Sequence, residues 1–504
     1  MMTVRTTVAR TIFMFAIVLV FAMSARPARL IAQVDTTPTS KPARKPNIIF
    51  ILADDLGYRE VSSYGQRKYK TPNIDRLADA GMRFTHFYSG SPVCAPSRCT
   101  LLTGKHTGHA YIRNNYEMGG WGPDEPEGQL PLADAEITIA ELLQHDGYAT
   151  CAIGKWGLGG PESEGHPNNQ GFDHWFGYLC QRVAHNYYPT HLWRNADKVM
   201  LDGNEYFSSH QRLAEAPGDP AAYDRFKGKQ YAPDLMIDEA LTWVRDHKDE
   251  PFFLYYATPV PHAALQVPDE SLEPYLDKKP YLGNKGYLPH PTPRAAYAAM
   301  VSRMDGDIGK LLDLLDDLNL TGDTIVFFTS DNGPTFNGGT DSEFFSSAGI
   351  FRGLKCSVYE GGIRIPMIVR WPGHVEAGAK NGFIGGFWDV MPTILDLAEL
   401  DKDAIMPDDD IDGISFASTL TGMNPIRQAD HDYLYWEYGG TRAIRLREWK
   451  AVWPKNKDQP ELYNLAYDVM ESKNVAEQYP DVMKRILSRF ESARTESEHF
   501  PLKK

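Results

Sequence analysis

The stretch "PNIIFILADD", residues 46–55, opens on an unbroken apolar run from Ile48 to Leu52 and closes on two carboxylates, Asp54 and Asp55. A half-exposed strand would alternate apolar and polar residues. A continuous run instead suits a strand buried on both faces, as in a parallel sheet covered by helices. In such open sheets ligands bind beyond the carboxyl ends of the strands, so the two acids stand where chemistry is expected.

The same unit recurs downstream. "TPNIDRLADAGMRF" predicts a helix that starts at Pro72 behind a Thr71 cap and stops near Gly81. Helices over about 137–145, 232–247 and 293–318 lead into "YATCAIGKWGLGG", "PFFLYYATPVPH" and "DTIVFFTSDNG", each an apolar strand running into a polar or Gly-rich loop. This alternation predicts an α/β fold, a doubly wound and mostly parallel sheet with helices on both faces. After about residue 430 the pattern changes to short aromatic and β-branched stretches, "YLYWEYGG", "TRAIRLREWKAVW" and "PELYNLAYDV", followed by a helix near 479–495. These predict a small C-terminal antiparallel sheet with a terminal helix.

The N-terminus carries Arg5 and Arg10, an apolar segment from Ile12 to Met23, and small residues around Ser24 and Ala28. That is the order of a secretory signal, with an apolar segment too short to span a bilayer. The expected organisation is a signal peptide at 1–32, a disordered Pro/Thr/Lys tether at 33–45, an α/β domain at 46–429 and a C-terminal α+β subdomain at 430–504. The mature chain is expected to be exported, periplasmic or secreted, with no transmembrane segment.

Composition narrows the function classes. With 42% hydrophobic and 23% charged residues the 504-residue chain reads as globular, and its formal charge of −14 argues against nucleic acid as a partner. An anionic substrate stays open, because a pocket can be cationic inside a negative envelope. The 26 Tyr and 10 Trp suit either stacking surfaces for sugar rings or an aromatic core. Five cysteines, at 94, 99, 151, 180 and 356, are too few for a disulfide scaffold.

Asp331 and Asn332 close "IVFFTSDNG" as Asp54 and Asp55 close the first strand. Four oxygen side chains at two strand ends suit a hard cation, Ca²⁺ or Mg²⁺, and not zinc. Cys94 reads as a loop residue just before a helix that starts at Pro96 and runs toward Leu102. A helix start welcomes anions, and Arg98 lies one turn on.

The segment "CAPSRCTLLTG", 94–104, matches C-x-P-S-R-x-x-x-L-x-T-G, and with it the chain resembles the type I, formylglycine-dependent sulfatases. The resemblance extends to the acids after strand one, "GKWGLG" at 154–159, "PH" at 261–262, "SDNG" at 330–333, "RGLKCSVYEGGIRIP" at 352–366 and "ELYNLAYD" at 461–468. It implies an alkaline-phosphatase-like fold and a Cys94 oxidised to formylglycine by a maturation enzyme. Asp54, Asp55, Asp331 and Asn332 would hold Ca²⁺, less readily Mg²⁺, with residue 94 as a fifth ligand. Arg98 would hold the formylglycine hydrate, Lys155 and Lys355 would bind sulfate oxygens, and His262 would protonate the leaving sugar oxygen.

One position departs from the family pattern. GKWHLG is usual, and the histidine that helps expel sulfate is Gly157 here. His106, His166 and His185 are the candidates to replace it. The 154–195 stretch resembles bacterial enzymes acting on galactose or N-acetylgalactosamine 4-sulfates, including those of carrageenan. On that likeness His106, Arg113, His185, Arg194 and Glu437 are candidate contacts to a sulfated saccharide. The rival readings are a phosphomonoesterase or phosphonate monoester hydrolase on the same scaffold, and a silent binder of sulfated glycans.

Overall fold

Strand β1 (Asn47–Ala53) is buried along its whole length at the centre of a ten-stranded sheet. The other strands are β2 (Met82–Tyr88), β3 (Ala149–Lys155), β4 (His174–Tyr178), β5 (His191–Arg194), β6 (Asp197–Met200), β7 (Phe252–Ala257), β8 (Thr324–Ser330), β9 (Arg364–Arg370) and β10 (Ala379–Gly386), in the order β10-β2-β9-β8-β1-β7-β3-β4-β5-β6. The centre, β8-β1-β7-β3-β4, is parallel throughout. The flanks carry antiparallel pairs, β9 with both β2 and β8, and the β4-β5-β6 meander. This computed structural model describes residues 45–207, 209, 220–276, 287, 290–401, 406, 411–422 and 428–502. The expected signal peptide and the expected tether up to residue 44 lie outside the described residues.

Alternation along β1 divides the core. Ile49 and Ile51 pack with α1 (Pro72–Asp79), α4 (Ala232–Asp246) and α5 (Pro293–Asp317) on one face, through Ile74, Met236 and Met300. Ile48, Phe50 and Leu52 pack on the other with α2 (Cys94–Thr103) and α3 (Ile139–His145), through Leu101 and Ile139. Helices thus cover both faces, as the unbroken apolar run requires. The central strands all point their carboxyl ends the same way, and every group of the catalytic set inferred from sequence follows one of them or faces them.

The C-terminal strands β11 (Leu434–Tyr438), β12 (Thr441–Leu446), β13 (Trp449–Trp453) and β14 (Glu461–Asn464) form an antiparallel sheet in sequential order. One face takes the terminal helix Pro480–Ser492 through Met483, Ile486 and Phe490. The other packs on Tyr88, Val358 and Trp388 through Trp436 and Val452. Trp436 also donates its indole N–H to the Ser89 carbonyl at 2.9 Å.

A buried ion cluster ties this sheet to the segment that leads into β9. Lys450 Nζ lies 2.9 Å from Glu360 and 3.0 Å from Glu471, all three side chains fully buried. Burial pushes Glu360 upward, but Lys450, Arg364 and Arg445 outweigh it and hold the carboxyl at about 2. Replacing Lys450 with alanine leaves Arg364 on Glu360 but takes away the ammonium that Glu471 faces in a dry interior, and is expected to cost about 3–5 kcal/mol. Urea unfolding reads that loss directly. A cost below about 1 kcal/mol would mean that water reaches the cluster and screens it.

Candidate active site

Two residues at the end of β1 begin the site. Asp55 takes a left-handed backbone, φ 66°, which side chains other than glycine seldom adopt. Its N–H donates to Asp331 Oδ1 at 3.0 Å, and the following N–H, of Leu56, donates to Ser330 Oγ at 2.8 Å. The ends of β1 and β8 are thereby stapled together, with Asp54, Asp55, Asp331 and Asn332 all fully buried.

Cys94 is the first residue of α2 rather than a loop residue, so the helix starts two positions before the expected Pro96. Proline at the third helical position costs nothing in hydrogen bonds, since the first four N–H groups of a helix have no partner within it. Cys94 Sγ sits 3.3 Å from Asp54 Oδ1, 3.9 Å from Asp55 Oδ1 and 3.4 Å from Lys355 Nζ. Burial, and next Asp54, push this thiol well above its ordinary pKa. A protonated thiol is a poor nucleophile, and sulfur is a poor match for hard oxygen ligands. As a cysteine, residue 94 suits neither task in this setting.

Three cations answer the three carboxylates. Lys155, the last residue of β3, places Nζ 2.5 Å from Asp54 Oδ2. Lys355 grips Asp55 with both oxygens, at 2.7 and 2.8 Å. Arg98, one turn into α2, donates to Asp331 Oδ2 at 2.9 and 3.2 Å and to the Lys155 carbonyl. It locks α2, β3 and β8 together rather than reaching outward. Burial pushes Asp54 upward, yet Lys155, His262 and Arg98 hold it well below the usual carboxylate range.

The residues fit a hard divalent cation. Asn332 donates Nδ2 to Asp55 Oδ1 at 2.7 Å, while its Oδ1 is buried with no hydrogen-bond partner. Such an orphaned oxygen beside three carboxylates is a donor set for Ca²⁺ or Mg²⁺. His262 follows β7, with Nε2 3.3 Å from Asp55 Oδ2 and Nδ1 bonded to the Ala263 carbonyl. Burial lowers its pKa to about 4, Lys355 and Lys155 adding to the fall and Asp55 opposing it.

Of the saccharide contacts expected from sequence, His185 alone joins this set. Its ring stacks on His262 at 4.4 Å and 18°, with Tyr287 4.7 Å away. His106 lies past the far end of α2, and ten residues of helix put that end about 15 Å from Cys94. Its N–H is held by Asp412 and its ring stacks on His109. Arg194 is engaged by Glu239 at 2.6 and 2.9 Å above Phe176. Arg113 and Glu437 line a separate cleft together. His166 caps a short turn and contacts Asn195. The five cysteines are all free.

Gly157 also has a physical reason to lack a side chain. Its backbone is left-handed, φ 81°, and a Cβ there would meet Gln181 Cγ at 2.8 Å. The neighbourhood is an amide cluster that sequence reading missed. Gln181 donates its N–H to Gln129 Oε1 at 3.0 Å and its Nε2 to Asn115 Oδ1 at 3.4 Å, and Asn115 Oδ1 accepts the Ala95 N–H at 3.1 Å. No motif marks such residues, two of which sit in the long connection from α2 to α3 and one after β4.

A family model described as Sulfatase matches residues 46–400, and one described as N-sulphoglucosamine sulphohydrolase, C-terminal, matches residues 350–496. The chain is 32% identical to an N-acetylgalactosamine-6-O-sulfatase of Bacteroides thetaiotaomicron, over 90% of this chain and 94% of that protein. It is 32% identical to the human N-acetylgalactosamine-6-sulfatase, over 81% and 71% respectively. Among solved structures, Ps i-CgsB in complex with k-i-k-neocarrahexaose matches with a TM-score of 0.71 at 28% identity, covering 90% of this chain and 94% of that one.

Proposed function

The chain belongs to the sulfatase family, and from that premise we propose that it hydrolyses the sulfate ester of a galactose-configured saccharide through a formylglycine made from Cys94. That it is a sulfuric ester hydrolase acting on sulfated sugars follows from the family and its relatives. The mechanism and the sugar are the proposal. The observation that carries it is the setting of Cys94, a buried thiol between two carboxylates and a lysine, where an oxygen nucleophile fits and a thiolate does not. With residue 94 only 1% exposed, its oxidation by a maturation enzyme has to precede folding.

The hydrated aldehyde offers two hydroxyls on one carbon. One attacks sulfur as its proton passes to Asp54 Oδ1, the nearest carboxylate oxygen. Lys155 and Lys355 balance charge on the sulfuryl oxygens. The bond from sulfur to the sugar oxygen breaks, and that oxygen takes a proton from His262. Bound sulfate ester, being anionic, raises the histidine's pKa toward the range where it can donate. Asp54 passes the first proton to the now neutral His262, within reach in the same cluster, and both groups are reset. The second hydroxyl then loses its proton to Asp54, the carbonyl re-forms and sulfate leaves, and Asp54 releases that proton to solvent as water restores the hydrate. A divalent cation held by Asp54, Asp55, Asp331 and Asn332 would add charge neutralisation at the sulfuryl group.

Gln181, which fills the space beside Gly157, has no basic lone pair to offer, so the second proton is assigned to Asp54 rather than to a histidine. Export is proposed on the N-terminal sequence; among the described residues no helix is long and apolar enough to cross a membrane.

The sequence between 154 and 195 favours the 4-sulfate. The names of the two relatives favour the 6-sulfate as a second reading. Sulfate release from galactose carrying one sulfate at position 2, 3, 4 or 6 decides between them. Turnover confined to the 4-sulfate supports the first reading, and turnover confined to the 6-sulfate the second. Preference for an aryl phosphate over an aryl sulfate would overturn the reaction class.

A further inference from the structure

A cleft of about 300 Å³ opens beside the catalytic centre, lined by Arg113, Asn115, Tyr116, Tyr438, Lys455 and Arg494 among others. Two of its walls stand one residue from catalytic groups. Asn115 accepts the N–H of Ala95, next to Cys94, at 3.1 Å. Tyr438 places its hydroxyl 3.5 Å from the sulfur of Cys356, next to Lys355. A saccharide with its sulfate at residue 94 has this cleft as a neighbour.

The charge of the cleft is opposite to that of the chain. Among the described residues three cations line it, Arg113, Lys455 and Arg494, and Glu437 is the one carboxylate, in a chain with a formal charge of −14. Arg494 neutralises Glu437 at 2.8 Å, and Tyr435 donates to the same oxygen at 2.8 Å. Arg113 shares that carboxylate, its Nη1 3.8 Å from the other oxygen of Glu437, so three cations meet one acid and the exposed Lys455 is the one that does not face it. Arg113 spends one N–H each on Ala110 and on the carbonyl and hydroxyl of Thr495, which leaves two of about five guanidinium donors. Lys455 is exposed, and its stem packs where a Cβ on Gly440 would stand, 3.0 Å from Cδ. Glycine at 440, with φ 89°, is what lets this lysine lie along the cleft wall.

The walls also offer aromatic surface. Tyr116 is 48% exposed and is held edge-to-face by Phe500 at 6.3 Å. A half-open aromatic ring beside an exposed lysine and a net excess of positive charge suits a sugar ring that carries negative charge.

We propose that this cleft is a second anion-recognising subsite, taking the sugar next to the one that loses sulfate and reading an anionic substituent on it, a sulfate half-ester or a carboxylate. The substrate is then an oligosaccharide with charge on adjacent rings. This inference rests on the sulfatase reading for its place beside the reacting sugar.

The test measures binding without turnover, on full-length protein carrying Cys94→Ala. Three disaccharides share the same sulfated ring and differ only in the neighbouring one, which carries a sulfate, a carboxylate or no charge. One or both anions are expected to tighten binding about tenfold over the neutral ring, and the tighter of the two names the group. Adding Lys455→Ala, or the charge-reversing Lys455→Glu, is expected to remove most of that gain, as is raising salt. Equal affinities for the three, a gain that survives both lysine variants, or no binding by any would overturn the subsite. Sulfate release by the matured wild-type enzyme is measured separately, so the subsite and the reaction can fail independently.

Discussion

Alanine at position 94 is expected to lower sulfate release by about 10⁴-fold or more, because it removes the group that forms the covalent intermediate. The substitution adds no strain. Cys94 is the first residue of α2, and its Sγ contacts are polar ones to Asp54, Asp55 and Lys355 rather than core packing. Circular dichroism and the unfolding midpoint should therefore stay near wild type while activity disappears. Serine at the same position separates nucleophile from exit. Its single hydroxyl can attack sulfur, but it has no second hydroxyl to collapse into a carbonyl, so at most one sulfuryl group per chain is taken up. A stoichiometric burst of sugar followed by arrest is the expected trace. Full steady-state turnover by the alanine variant would sink the formylglycine mechanism and with it the reading of residue 94.

How much of this was legible in the sequence depended on whether a feature is local. The central strands were readable because burial on both faces leaves a continuous apolar run, and β1, β7 and β8 are buried at every position. Strand direction was not readable, since a doubly buried strand looks the same whichever way its neighbours run. Hence the antiparallel place of β9 between β2 and β8 came only from the structure. The β5–β6 hairpin did carry a signal, a left-handed Asn195 at φ 50° in its turn. Reading that stretch for substrate contacts obscured it and led to Arg194, whose guanidinium Glu239 already holds.

The proposed catalytic cluster could be picked out of the sequence because Asp54, Asp55, Lys155, Asp331 and Asn332 lie at strand ends and Cys94 starts a helix, positions that sequence marks. His106 looked close to Cys94 in the chain, but a ten-residue helix intervenes and carries it about 15 Å away, whereas Arg113 lines the neighbouring cleft. The amides Asn115, Gln129 and Gln181 converge from two connections far apart in the chain, and nothing local announces them. Gly157 is the instructive case. Its sequence shows only a missing histidine, whereas the structure shows a left-handed backbone with Gln181 2.8 Å from where a Cβ would stand.

Stripping divalent cations with a chelator is expected to lower sulfate release by about 10²–10³-fold, the usual cost of losing a major electrostatic stabiliser from a dry site. The fold should survive the treatment. Asp54, Asp55 and Asp331 already face Lys155, Lys355 and Arg98 at hydrogen-bond distance, so the buried charges balance three against three. Catalysis asks more than balance. A lysine whose ammonium is held by a carboxylate at 2.5 or 2.7 Å has less charge to give a sulfuryl oxygen, and two added positive charges on the carboxylates would loosen that hold. Calcium should restore activity better than magnesium. Magnesium keeps several of its waters, and the four donor side chains are fully buried, with little room for them. Zinc should restore least, since the donors are oxygens. The measurement is sulfate release after chelation and after return of each cation in turn, with the unfolding midpoint followed in parallel. A chelated enzyme that keeps full activity would remove the cation from the mechanism and leave Lys155, Lys355 and Arg98 to carry the charge alone.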